Sequence, residues 1–241
     1  LFRSVELLFE AFAAADRAWI AALAKAETAG TFWTSGARDA RGIFLRAPSE
    51  PGTLPVAFVN PVTLLEQHGE ARTPILLFGA GHIGRALVLA LAPLPFSVRW
   101  IDARADTFPG HHPANATPVA TADPVREIAM AKPGTLLLIM THSHALDLDL
   151  VAAGLSNPAI AFTGVIGSAT KRARFLTRLK AMGLGEDAAA RLVCPIGVPG
   201  IGGKEPAVIA AGVAVQALQT REHLVRRALP ANTASRKKSA H

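Results

Sequence analysis

Residues 74 to 87 read PILLFGAGHIGRAL. An apolar run leads into three glycines spaced G-x-G-x-x-G, and a helical pattern follows at once. This demands a strand, a tight turn and a helix start in quick succession, which few folds supply. Each glycine has its own physical reason. Gly79 permits the turn, Gly81 lets the backbone approach a ligand closely, and Gly84 lets the helix pack against the strand. The helix N-terminus, with His82 in its first turn, then offers free N–H groups and a favourable dipole to an anion.

The rest of the chain supplies the context that a lone glycine motif lacks. From Thr73 onward, the apolar runs PILLFGAG, SVRWIDAR, ATPVAT, TLLLIMTH and AIAFTGVIGS alternate with helical segments. The helices are expected over Ile83–Ala92, Asp123–Ala131, Ala145–Gly154, Thr170–Met182 and Glu205–Gln219. Near-continuous apolar strands are the mark of a buried parallel sheet, and strand–helix alternation predicts a doubly wound, Rossmann-like α/β domain over residues 71–225. Residues 1–70 have a different texture and predict a smaller α+β domain. FEAFAAADRAWIAALAKAETAG is expected to form a helix capped by Asp16 and stopped by Gly30. TFWTS, RGIFLRA and LPVAFV then read as antiparallel strands. The boundary is placed in EQHGEART, residues 66–73, and residues 226–241 are expected to be a basic, disordered tail.

Composition narrows the class of function. The chain has 241 residues, one Cys and a formal charge of +7. A single Cys excludes an internal disulfide framework and fits a cytoplasmic protein. No apolar run is long enough for a membrane span. Part of the positive charge lies after residue 220 with no aromatic residue among it, so nucleic-acid binding is not expected.

Four groups of residues could carry chemistry. Asp102 ends the strand after the glycine motif, where a carboxylate would bind a ribose diol, and Arg104 could meet a phosphate or stack on a ring. This is the basis for an NAD(P)-dependent oxidoreductase, although no proton-relay residue is evident beside it. His142 and His144 follow a strand end; the pair could line a ligand, or His144 could simply orient the loop while Asp147 begins the next helix. No third ligand with zinc-like spacing accompanies them, so no metal site is expected. Gly167, Ser168, Lys171 and Arg172 make a second anion cradle, or an ordinary Ser N-cap with solvated charges. Cys194 and Lys204 flank a Gly/Pro-rich loop whose backbone looks shaped around something. The thiol could be activated by Lys204 or a helix terminus, or be buried and inert.

Taken together and in order, LLFGAGHIGRALVLALAPLPFSVRWIDAR, THSHALDLDL, FTGVIGSATKRARFLTRL and VCPIGVPGIGGKEPAVIA resemble the xanthine dehydrogenase accessory protein (XdhC) family. The likeness extends from about Leu1 to Leu218. It implies a chaperone without turnover that binds the molybdenum cofactor, a molybdopterin with a terminal phosphate. Such a chaperone assists cofactor sulfuration with a cysteine desulfurase and delivers the product to xanthine dehydrogenase or a related molybdenum hydroxylase. A homo-oligomer is expected. In that reading Gly79, Gly81, His82, Gly84, Arg104, Gly167, Ser168, Lys171 and Arg172 hold anionic parts of the ligand, and Asp102 is placed for a ribose diol. His142, His144, Cys194 and Lys204 would face the pterin or metal. Family members carry a Gly-rich region with a Cys upstream of VELL; this sequence starts at Leu1, so the N-terminal domain is expected to be partly truncated.

Overall fold

The computed structural model of the chain describes residues 8–52 and 56–228. Contacts divide it into two units that meet in sequence at Ala71 and Arg72. In the first unit, helix α1 (Arg17–Ala29) follows a 3₁₀ turn over Ala14–Asp16. The helix was expected to begin nearer Phe9 with Asp16 as its cap. Asp16 does stand at the cap position, but its carboxylate takes no backbone N–H of α1. It accepts the N–H of Ala13 at 2.8 Å and the Arg41 guanidinium at 3.0 Å, and so closes the 3₁₀ turn instead. Gly30 ends the helix at φ 136°, a backbone angle that disfavours any side chain.

Strands β1 (Phe32–Arg38), β2 (Phe44–Pro48), β3 (Val56–Asn60) and β4 (Thr63–His68) form an antiparallel sheet in the order β2-β1-β4-β3. The fourth strand, TLLEQH, lacks a clean apolar alternation because its polar residues are paired rather than solvated. Glu66 accepts a bond from Arg46 at 2.7 Å, and His68 bonds Thr34 at 2.7 Å. Arg46 is itself nearly buried between Glu66 and Glu10.

The second unit is built on six parallel strands: β5 (Thr73–Phe78), β6 (Phe96–Asp102), β7 (Ala116–Ala120), β8 (Thr135–Ile139), β9 (Ile160–Val165) and β10 (Leu192–Val193). Their spatial order is β10-β9-β8-β5-β6-β7. The order therefore reverses between β5 and β8, and a doubly wound sheet binds ligands at the carboxyl end of that reversal. Helices α2 (His82–Leu91), α3 (Pro124–Ala129), α4 (His144–Ser156), α5 (Ala169–Ala181) and α6 (Glu186–Ala190) lie between strands, and α7 (Pro206–Ala228) follows β10.

Alternation along the strands decides which helix lies where. Ile75, Leu77, Leu136 and Leu138 face one way and pack with Leu87, Leu91, Val213 and Ala217 of α2 and α7. Leu76, Phe78, Leu137 and Ile139 face the other way, against Ile128, Val151, Leu155, Phe175 and Leu179 of α3, α4 and α5. Both faces are covered, so the strands read as unbroken apolar runs. The last helix outruns the expected tail boundary: Arg226 to Ala228 still belong to α7, because its helical pattern does not stop at the basic residues. The remainder of the expected tail, residues 229–241, lies outside the described residues.

Candidate functional site

The glycine turn sits at the carboxyl end of β5, beside the reversal of strand order. Gly79 has φ 109°, and a Cβ there would run into the carbonyl of Met140 at the end of β8. A Cβ on Gly84 would collide with the carbonyl oxygen of Gly79. That same carbonyl accepts the indole N–H of Trp100 at 3.0 Å, so the turn is clamped between α2 and β6. Gly81 is different. A Cβ at this position would meet nothing within 4 Å, so its α-carbon faces open space. The turn is held from behind as well: Gly79 donates its N–H to Ile101 O at 2.8 Å, and Ala80 donates to Asp102 at 2.8 Å.

Three helices of eight residues or more begin at this edge with a described cap, and they are finished differently. Ser143 caps α4 by accepting from Leu146 N, and Ser168 caps α5 by accepting from Lys171 N. No side chain caps α2, whose cap position is Gly81. The N–H groups of its first turn, where exposed His82 stands, are therefore left for an incoming acceptor. Ser168 takes the ordinary capping role, while Gly167 before it stays exposed.

Asp102 lies where the sequence placed it, as the last residue of β6, but its carboxylate is already engaged. Beyond the Ala80 N–H, it accepts the N–H of Arg104 at 3.0 Å, Arg104 Nε at 3.0 Å and Arg104 Nη2 at 3.1 Å. Burial alone would raise its pKa, yet the Arg104 guanidinium and the two backbone N–H groups together hold it below the usual carboxylate value. Arg104, half exposed, is bound to Asp102 and not held ready for a phosphate. The cleft bounded by Gly79, Asp102, Pro124, Thr141 and His142 is only about 30 Å³, room for a water or two.

At the ends of β8 and β9, Lys171 departs most from expectation. Its ammonium does not wait for an anion. It is buried against Asp147 at 2.5 Å and Ile166 O at 2.8 Å, with the Phe175 ring 5.2 Å away. Asp147, 1% exposed, also accepts the Thr141 hydroxyl at 2.6 Å. A buried carboxylate needs a paired cation, and the nearest one is consumed for that purpose. Arg172 is half-buried beside it, and His142 and His144 are both exposed. The two histidines do not share one side of an extended segment, since Ser143 begins the turn into α4 and His144 is already helical.

Of the two readings of Cys194, the buried one holds: its pKa is pushed up by that burial, with Lys171 and Arg172 only partly opposing the shift. It packs by Gly167, where a Cβ would lie 3.0 Å from its sulfur. The exposed Lys204 is not among the charges acting on it. The Gly/Pro-rich loop that follows does enclose space: a cavity of about 430 Å³ opens between Gly167, Pro195, Gly197, Ile201 and Val208. That volume is in the range of small-molecule sites. A cavity of about 440 Å³ also opens at the opposite, amino edge of the sheet, between Pro74, Ser97, Asn115 and Lys132, away from the strand ends where such sheets bind ligands. Among the described residues, no three His, Cys, Asp or Glu side chains gather as metal ligands would.

Residues 75–217 match the family described as the XdhC Rossmann domain. This chain belongs to the XdhC family. The glycine turn, the serine-capped helices and the Gly/Pro loop all fall within the matched span. Among curated proteins, the chain is 30% identical over 159 residues to the uncharacterized protein YqeB of Escherichia coli (strain K12), covering 65% of this chain and 28% of that protein. Among solved structures, a xanthine dehydrogenase from Bacillus halodurans superposes with a TM-score of 0.64 at 18% identity, covering 86% of this chain and 65% of that one. At such identity the likeness is one of fold. The chain spans less than two thirds of the length of either relative. No helix among the described residues is long and apolar enough to cross a membrane.

Proposed function

We propose that this chain binds the molybdenum cofactor and passes it to xanthine dehydrogenase or a related molybdenum hydroxylase, seating the cofactor's terminal phosphate on the first turn of α2. The observation that carries this reading is the finish of that helix. Its neighbours are closed by their own serines, while α2 has no side-chain cap and has open space at Gly81. Unpaired N–H groups at a helix start suit a phosphate in charge and in geometry. Membership of the XdhC family supports the choice of cargo.

The cavity under the Gly/Pro loop, which Gly167 helps to line, opens on the same carboxyl edge and suits the flat ring of a pterin, with exposed His142, His144 and Lys204 and half-buried Arg172 along that edge. The bound cofactor supplies molybdenum and its dithiolene. The chain's own residues bind and orient it and cover its ring face, and no bond need be made or broken by them. In this reading the chain works in the cytoplasm as a homo-oligomer, and a cysteine desulfurase furnishes the sulfur.

The test is retention. Purified protein is mixed with molybdenum cofactor and passed through a size-exclusion column, and the protein fraction is denatured and oxidised to reveal pterin fluorescence. Pterin in the protein fraction, and faster reconstitution of a cofactor-free hydroxylase from that fraction than from free cofactor, are expected. A protein fraction free of pterin would overturn the reading.

A further inference from the structure

A G-x-G-x-x-G turn followed by an acidic residue at the end of the next strand ordinarily denotes NAD(P), with the carboxylate accepting bonds from the ribose hydroxyls. The residues of this chain do not fit that ligand. An ionised carboxylate offers about four acceptor positions, and Asp102 has four donors on it already: two backbone N–H groups and two guanidinium nitrogens. The backbone pair, from Ala80 and Arg104, maintains the turn and the strand end. The guanidinium pair, Nε on one oxygen and Nη2 on the other, takes the two positions that a diol's two O–H groups would use. The planar fork makes this a bidentate contact, which a single hydroxyl displaces poorly. Behind it the cleft holds about 30 Å³, too little for a sugar.

We infer that Arg104 closes the ribose subsite, so that the α2 cradle takes phosphate borne on a group with no ribose diol and turns away nicotinamide nucleotides. The inference rests on the proposed phosphate cradle and adds the class of ligand it selects. It also accounts for the presence of Rossmann geometry without the usual dinucleotide contact in one chain: the glycines serve the phosphate, while Asp102 serves the turn.

The experiment compares wild type with Arg104→Ala by calorimetric titration with two probes, NAD and inorganic pyrophosphate. The side chain is 48% exposed, so its removal leaves the core intact, and near-ultraviolet circular dichroism checks this. The readout is the ratio of NAD affinity to pyrophosphate affinity within each protein, which cancels the general effect of losing a positive charge. Freeing two acceptors on a charged carboxylate raises that ratio by about tenfold or more. An equal ratio in both proteins would overturn the closed subsite while leaving the cradle standing. If pyrophosphate binds neither protein, the cradle itself is wrong and the gate falls with it.

Discussion

The three glycines of the turn have separable duties, and substitution should show it. Gly84→Ala places a methyl group against the Gly79 carbonyl and loosens the Trp100 bond, so a loss of about 1–3 kcal/mol in urea denaturation is expected. Gly81→Val puts its Cβ where nothing lies within 4 Å, at φ −72°, which any residue adopts, so its stability should stay within about 0.5 kcal/mol of wild type. Asp102 sets a pH dependence. Its folded pKa lies below the unfolded value of about 4, so its stabilising effect is complete above that value and fades as pH falls through the folded pKa. Denaturation midpoints of wild type and Asp102→Asn should therefore differ at pH 6 and converge towards pH 3. Cys194, with its pKa raised by burial, should react with iodoacetamide at pH 8 on the order of tenfold more slowly than a free thiol, reaching full rate only on unfolding. The roles of the glycines were legible because they follow from spacing along one short stretch. The full engagement of Asp102 was not, since the Ala80 N–H comes from the turn after another strand and the Arg104 fork is fixed only in the fold, while the burial of Cys194 was one of two readings left open.

At the scale of elements, the ends of β8 and β9 are tied together by the buried Thr141–Asp147–Lys171 network. Removing one charge strands the other, so Lys171→Met should cost about 3–5 kcal/mol, and Asp147→Asn in that background should cost far less than it does alone. Chemical denaturation of the two single variants and the double variant reads this coupling directly. The five long strands and helices α2, α3, α4, α5 and α7 of the second unit were legible, because burial on two faces leaves unbroken apolar runs and the longer helices show a 3.6-residue period. The short α6 and β10 carry too few residues for any period to show. The fourth strand of the small sheet was missed because Glu66 and His68 stand where alternation calls for apolar residues, and only the fold reveals that Arg46 and Thr34 answer them.

Over the whole molecule, the division at Ala71 and Arg72 separates an antiparallel sheet from a doubly wound parallel one, each with its own buried residues. Residues 72–228 contain both large apolar clusters. Produced alone, they should unfold in one cooperative transition in urea, whereas a broad transition would show that they lean on the first unit. Fold class was written in the alternation from Thr73 onward, and ligand class was not, because a phosphate cradle serves dinucleotides and other phosphates alike. The cofactor reading stands on the cargo reaching the open position at Gly81. The most direct measurement is the affinity of purified protein for molybdenum cofactor in wild type and Gly81→Val at matched stability. A loss of binding of about tenfold or more in the variant is the result expected if phosphate lies against the first turn of α2. Equal affinity would show that the cofactor, if bound at all, is held elsewhere.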